Sequence, residues 1–286
     1  MKIFVVIDKN DTASMNIYDK LINEEKIFLE SNIKFKNNKT YFYKDSYLIM
    51  NDSKSAESED IDKEIEYFTS IKPELIIFPT VHRSKSGIPS FSSHVPGNWN
   101  IAEAGGSDKK LCVAAESFIK ESLIYMKSKD KAKDIENFDI IQEATHHGPL
   151  ISVPCMFIEI GSTEKEWTNQ NAGRLIASTI IHLIENKTEI LNKNYKSFVG
   201  IGGPHSCSNF MKIVFNDDEL ALGHLCPKHS LEYINEHLIE EALEKNINSS
   251  NLVILDWKGM GQEKQRIVNI LNNKNIKFMK VKDFSY

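Results

Sequence analysis

The chain has 286 residues, 41% hydrophobic and 26% charged, the composition of a globular protein with a sizeable core. A net charge of -5 and a pI of about 6.0 argue against a generally basic nucleic-acid binder, with no DNA partner expected. No apolar run approaches the roughly 20 residues that cross a bilayer, so no membrane partner is expected either.

The N-terminus, MKIFVVIDKN, becomes charged too soon for a signal peptide and reads as a first strand over residues 2–8. Residues 12–31 predict a helix, with Met15, Ile17, Leu21, Ile22, Phe28 and Leu29 at roughly helical spacing. Residues 40–50 predict two short strands around a turn at Lys44-Asp45, and a polar lead-in precedes a helix at about 59–70. ELIIFP (74–79) predicts a buried strand that Pro79 ends. The polar stretch HRSKSGIPSFSSHVPGN (82–98) then reads as a loop. Residues 108–128 predict a helix, and the charged run KSKDKAKD reads as its solvated end.

FDIIQEA (138–144) and CMFIEI (155–160) predict strands flanking THHGPLISVP. STEKEW carries a capping-box start at Ser162 or Thr163 for a helix over about 164–186. YKSFVGIGGPH (195–205) predicts a strand and a glycine turn. MKIVF and ELALGHL predict strands, 230–245 a helix, NLVILDW a strand, 260–272 a helix and KFMKV a last strand. Strands alternate with helices throughout, and CMFIEI and LVIL are apolar on both faces. The expected fold is therefore α/β: a three-layer αβα sandwich with a mixed, mostly parallel sheet, in one domain over residues 1–286. Cys112, Cys155, Cys207 and Cys226 show no CxxC spacing, and scattered thiols suit a reducing, cytoplasmic setting.

Three polar clusters follow apolar strands: residues 82–98, THHGP (145–149) and GIGGPHSC (200–207). In α/β sheets ligands bind beyond the carboxyl ends of strands, so these loops are candidates to share one cleft. His82, His94, His147 and His205 sit on loops stiffened by glycine and proline. The plainer reading of His82 is a cap on the strand end and that of His94 a loop histidine bonded to the backbone. Adjacent residues on an extended segment point opposite ways, so of His146 and His147 one is expected to face the site. His182, His229 and His237 fall in helical patterns and read as structural; His224, at a strand end, stays open. Glu159 is a carboxylate in an apolar run, and a buried charge there needs a histidine, an arginine or a metal beside it. GxGxxG, the P-loop, HExxH and GxSxG are all missing, which excludes a nucleotide fold, a zincin and a serine-hydrolase elbow. Cys207, two residues past His205, is a poor candidate nucleophile, since that spacing sets up no base contact.

Together the stretches HRSKSGIPSFSSHVPGNW (82–99), ATHHGPLISVPCMFIEIGSTEKEW (144–167) and VGIGGPHSCSNF (199–210) resemble the archaeal and plant type of D-aminoacyl-tRNA deacylase. Each motif is modest alone; the ordered set of three is fairly specific. The resemblance implies a phosphorylase/hydrolase-like αβα fold and a monomer. It also implies hydrolysis of the ester between a D-amino acid and the 3′-terminal adenosine of tRNA, and a zinc requirement. His82, Ser84, Ser86 and Gly87 match one family motif, and His94, Pro96, Gly97 and Asn98 the next. His147, Gly148 and Pro149 match a third; Glu159, Gly161 and Ser162 a fourth; Gly202, Gly203 and His205 the last. Where the family is expected to carry an aromatic residue after this histidine, the chain has Ser206, so stacking on the adenine must come from elsewhere, with Phe210 and Trp99 as candidates. On this reading His147, His82 or His205 activates a water, directly or through zinc, and Glu159 orients a histidine or ligates the metal. His147, His205 and Glu159 are the expected zinc ligands. Backbone N–H groups of the glycine turns are expected oxyanion donors, and Ser86, Gly87, His94, Pro96, Gly97, Asn98, Gly148, Gly202 and Gly203 are expected to bind the substrate. Arg83 and the lysines near 109–110 and 127–133 are expected on the acceptor-end phosphates. The alternatives are a metallo-amidohydrolase or exopeptidase on a related scaffold, and a non-catalytic RNA-binding module.

Overall fold

The apolar runs condense into two sheets where the pattern predicted one. The computed structural model describes residues 1–129 and 135–285. In chain order its strands are β1 (Ile3–Asp8), β2 (Leu29–Phe35), β3 (Asn38–Tyr43), β4 (Ser46–Asn51), β5 (Leu75–Arg83), β6 (Ser90–His94), β7 (Gly97–Asn98), β8 (Lys110–Leu111), β9 (Asp139–Gln142), β10 (Cys155–Ser162), β11 (Lys196–Ile201), β12 (Leu220–Cys226), β13 (Leu252–Leu255) and β14 (Lys277–Lys280). The helices are α1 (Thr12–Asp19), α2 (Ile61–Thr69), α3 (Glu116–Lys129), α4 (Glu164–Trp167), α5 (Gln170–Glu185), α6 (Lys187–Asn192), α7 (Met211–Asn216), α8 (Glu236–Glu244) and α9 (Lys264–Asn273).

The main sheet has eight strands in the order β2-β3-β4-β1-β5-β10-β6-β9, mixed and mostly parallel, with helices on both sides. This is the expected α/β class. A second sheet, β12-β11-β13-β14, is wholly parallel, and β7 pairs only with β8. Phe198, Leu222, Leu225 and Ile254 of the second sheet belong to the same apolar core as β1, β5 and β10. Its other face makes a smaller core, with Val199, Val253 and Leu255 against Leu238 and Ile239 of α8 and Ile267 of α9. Burial on both faces explains why its strands read as unbroken apolar runs.

Several local expectations change. The first helix ends early: α1 continues as a π-helical turn to Glu24, Lys26 takes a left-handed φ of 54°, and Leu29–Phe35 pairs with β3 instead. Pro79 does not end its strand, because β5 runs on to Arg83. The N–H groups of Leu75 and Val81, on the same side of the strand as Pro79, point to Lys2 and Asp11 respectively. Pairing with β1 has stopped at Ile77, so the missing N–H of Pro79 falls where no ladder bond is required. The supposed loop 82–98 is largely strand: β6 lies antiparallel to β10. Residues 108–115 are not helical: 108–109 form a turn with Lys109 left-handed, Lys110–Leu111 is β8, and Ala114 bridges Cys155 of β10 and Asn246 after α8. MKIVF forms α7, with Met211, Ile213 and Val214 buried; a short apolar run does not separate strand from helix. The run KSKDKAKD passes beyond Lys129, and its Lys131 and Lys133 lie outside the described residues. Among the described residues no helix is long and apolar enough to cross a membrane.

Candidate active site at the strand ends

Three neighbouring strands carry the site in successive rows on one face of the main sheet. Glu159 of β10 lies opposite Thr80 of β5 and Ser92 of β6. Thr80 donates its hydroxyl to Glu159 Oε1 at 2.7 Å and Ser92 to Oε2 at 3.4 Å. One row on, Gly161 lies opposite His82 and Ser90. A Cβ at Gly161 would stand 2.6 Å from His82 Cδ2 and 2.7 Å from Ser90 Oγ, so glycine is what lets the imidazole lie over the sheet. One row back, Phe157 stacks on His94, with ring centroids 5.1 Å apart and planes 8° apart.

Two loops close over these rows. Gly97 donates its N–H to the carbonyl of His147 at 2.7 Å, and Pro96 bridges His146, so the end of the 82–98 segment holds the THHGP turn. His205 descends from the second sheet, its carbonyl accepting from Ala144 N–H at 2.8 Å. All three polar clusters therefore converge. His82, His146, His147, Glu143, Glu159 and His205 line one cavity of about 790 Å³, with Arg83 and Ser86 at its wall. His147 takes a φ of +44°, so the alternation of an extended chain fails there and both His146 and His147 reach the site. The expectation that one of the pair is structural is corrected.

Glu143 was missed by the sequence reading. Its signal was available: a carboxylate at the strand end in QEA, directly before THHGP. It is buried, with Oε2 3.0 Å from His205 Nε2 and Oε1 3.0 Å from His82 Nδ1. His82 Nδ1 also lies 3.5 Å from Glu159, and His94 Nε2 3.6 Å from Glu159. These contacts set the charges. Burial alone would lower His82, but Glu143 and Glu159 outweigh it and hold it at about 10. His94 is likewise raised against burial by Glu159. Burial would raise both carboxyls; His82 and His94 bring Glu159 to about 2, and His205 and His82 place Glu143 well below the carboxylate range. Burial and the charge of His94 push His147 down to about 4, and burial, His94 and His147 push His146 well below its usual value. The imidazolium of His82 thus faces two carboxylates, His94 is biased toward its charged form, and two neutral rings stand beside them. Nδ1 of His146 lies 2.8 Å from the Ala144 carbonyl and Nδ1 of His147 2.6 Å from that of Gly148. Each neutral ring therefore keeps its proton on Nδ1 and turns Nε2 outward as an acceptor.

Four of the glycine N–H groups in these turns are already bonded to backbone carbonyls. The N–H of Gly87 donates to Ser84, that of Gly97 to His147, that of Gly148 to Ala104 and that of Gly202 to Cys226. Gly97 and Asn98 line a neighbouring cavity of about 420 Å³, and Gly203 a third. Asn98 braces the 105–106 turn through the Gly105 carbonyl. Of the two proposed stacking rings, Phe210 is fully buried, while Trp99, its indole N–H on the Leu225 carbonyl, lines the cavity of about 420 Å³. His224 is structural, bonded to Thr145 and to the Lys245 carbonyl. His229 lies in a 3-10 turn and lines two of the cavities, a surface the helical reading did not foresee. Arg83 is exposed, its guanidinium 4.4 Å from the ring of Trp167. Cys207 is buried, which pushes its thiol well up, against a nucleophilic role.

Three groups of side chains bring ligand atoms within 4.8 Å of one another: His94, His146 and His147; Glu143, His146 and His205; His82, Glu143 and Glu159. The expected ligands His147, His205 and Glu159 fall one in each. The donor chemistry fits a borderline-soft cation such as zinc, and His94 Nε2 is buried without an aligned hydrogen bond.

The family model of D-aminoacyl-tRNA deacylase matches residues 69–279. A D-aminoacyl-tRNA deacylase of Pyrococcus furiosus is 36% identical over 278 residues, covering 96% of this chain and 98% of that protein. One from Saccharolobus solfataricus is 34% identical over 223 residues, covering 77% and 90%. The crystal structure of a conserved protein of unknown function, AF0625, superposes with a TM-score of 0.87 at 27% identity, covering 99% of this chain and 96% of that one. With the motifs of all three loops inside the matched span, this chain belongs to the D-aminoacyl-tRNA deacylase family.

Proposed function

We propose that the chain hydrolyses the ester of D-aminoacyl-tRNA in the cytoplasm, releasing the D-amino acid and the tRNA. The observation that carries the chemistry is the pair of neutral rings, His146 and His147, set beside a fixed group of charges in a cavity that holds both. An aminoacyl ester is already activated, so the site has to orient a water, take its proton and steady the developing oxyanion. His147 is the base: its Nε2 is free to accept, since the Gly148 carbonyl holds the proton on Nδ1. His82, kept protonated by Glu143 and Glu159, is the fixed cation of the wall and does for the oxyanion what the committed glycine N–H groups cannot. Glu159, gripped by Thr80 and Ser92, orients His82 and His94. Zinc belongs to the proposal, with Glu143, His146 and His205 as the set that holds it while leaving His147 free. When bound, such an ion supplies Lewis acidity and lowers the pKa of water. One chain supplies every one of these residues, which supports action as a monomer.

The preference for the D configuration rests on family membership. Matched D- and L-tyrosyl-tRNA, each with and without chelator, test the reading. Hydrolysis of the D ester, sparing of the L ester and loss of turnover on chelation are expected. Equal turnover of both esters overturns the chiral assignment, and turnover of neither overturns the activity.

A further inference from the structure

The parallel sheet has a crevice of its own. β11 lies between β12 and β13. The chain leaves β11 through α7, whose Ile213 and Val214 enter the larger core, and leaves β13 through α9, whose Ile267 and Leu271 enter the smaller core on the opposite face. The two connections part in opposite directions. The space between the carboxyl ends of β11 and β13 is therefore a topological switch point, where open α/β sheets bind ligands. A cavity of about 610 Å³ occupies it, lined by Gly203 and His205 from the β11 end, Asp256 and Lys258 from the β13 end, and Lys228 after β12.

Its lining has a definite chemistry. Lys228 and Lys258 are both exposed, and neither has an ion-pair partner among the described residues. Most other lysines with a defined contact, such as Lys9, Lys196 and Lys245, face a carboxylate within 3 Å. Asp256 is 6% exposed and fixed in place, Oδ2 accepting from Asn209 at 2.6 Å and Oδ1 from the Gly259 N–H at 3.2 Å. A Cβ at Gly259 would stand 2.5 Å from Gly203 N, so the absence of a side chain is what lets the two loops meet there. A fixed carboxylate beside two unpaired ammonium groups suits a ribose phosphate: the acid accepts from a hydroxyl and the lysines hold the phosphate. Pro204 and His205 line both this cavity and the reactive one, so the two adjoin. The ester on a terminal ribose and the backbone that leads into that ribose are related in the same way.

We propose that the crevice between β11 and β13 binds the ribose-phosphate backbone just before the terminal adenosine of the substrate tRNA, with Lys228 and Lys258 on its phosphates. This rests on the deacylase reading and adds the path of the tRNA end. It moves the main phosphate contacts from Arg83 and the α3 lysines to the second sheet.

The test compares the wild-type protein with the double variant Lys228→Ala/Lys258→Ala on two substrates, D-tyrosyl-tRNA and 3′-O-(D-tyrosyl)adenosine, which has no phosphate. KM for the tRNA is expected to rise about tenfold at low salt, and the log–log salt slope to fall by about 2, one for each lost phosphate contact. The rate on the adenosine ester stays within about twofold of wild type on the same grounds. The control Lys34→Ala/Lys39→Ala, on the exposed β2–β3 hairpin, removes the same charge far from the crevice and leaves KM unchanged. An unchanged KM for tRNA in the crevice variant, an equal loss on both substrates, or an equal rise in the control each overturns the proposal. Failure of wild type on both esters instead overturns the deacylase reading, and the proposal with it.

Discussion

Glu143 Oε2 and His205 Nε2 lie 3.0 Å apart, and this contact ties the end of β9 in the main sheet to the first loop of the second. The same carboxylate faces His82 with its other oxygen at 3.0 Å. Glu143 is therefore the group that keeps two sheets and two imidazoles in one electrostatic unit. Glu143→Gln keeps the shape and removes the charge. His82 loses its nearer counter-charge and its pKa falls toward the ordinary value, a shift that the ring resonances report in an NMR titration. Stability is expected to drop by about 3 kcal/mol, since a buried ion pair loses one partner, and deacylation by at least about a hundredfold. An unmoved His82 titration refutes the role given to Glu143.

His147→Ala removes the acceptor assigned to the water. The side chain touches the Gly148 carbonyl and the rings of His94, His146 and Phe157, so the fold loses little, and circular dichroism is expected to be unchanged. The rate on D-tyrosyl-tRNA is expected to fall by about 10²- to 10⁴-fold, mostly in kcat, the range for loss of a positioned base. Unchanged deacylation removes His147 from the catalytic set.

The legible parts of the sequence were those governed by local chemistry. The turn at Lys44-Asp45 is where expected, both residues in the left-handed region, and the capping box at Thr163 closes on Glu166. The convergence of the three loops followed from placing polar clusters after apolar strands. The errors arose where a distant partner decides. Pro79 is tolerated because β1 stops pairing at Ile77, which no local pattern records. The stretch before α3 is not helical, because Cys155 and Asn246 wait on either side of Ala114. Glu143 looked like an ordinary strand-end acid until His82 and His205 arrived from segments about 60 residues away on each side. The glycine turns read as donors, yet the N–H groups of Gly87, Gly97, Gly148 and Gly202 each meet a backbone carbonyl in the tertiary structure.

Gly161→Ala tests the row that seats His82. The added methyl would stand 2.6 Å from His82 Cδ2 and 3.0 Å from its Cβ, so the imidazole must swing away from Glu143 and Glu159. Overpacking of this kind costs about 1–3 kcal/mol. Activity is expected to fall about tenfold or more, because an ångström of misplacement at a reacting centre is that expensive. A companion change, Ser90→Ala, relieves only the contact at Ser90 Oγ and should not restore the rate. Recovery in the double variant places the defect at Ser90, not at His82.

The charge on His82 also writes a pH dependence into the stability of the chelated protein. Its folded pKa, about 10, lies above the ordinary histidine value of 6.5. A group raised in this way takes up a proton on folding. Its contribution is complete below pH 6.5 and is lost as pH rises from 6.5 to 10. Lys120 works the other way: burial lowers it to about 8, so its contribution grows as pH rises from 8 toward 10.5. The difference between wild type and His82→Gln cancels Lys120 and the other titrations that His82 does not touch; what remains belongs to His82 with its partners Glu143 and Glu159. That difference in thermal midpoint is expected to shrink by about 5 °C between pH 6.5 and pH 10, the shift that about 2 kcal/mol gives a domain of this size. Chelation is essential, since a bound cation competes with protons for the neighbouring ligands. A difference that stays constant across this window shows that His82 is neutral in the folded protein, and the fixed cation must then be sought in His94.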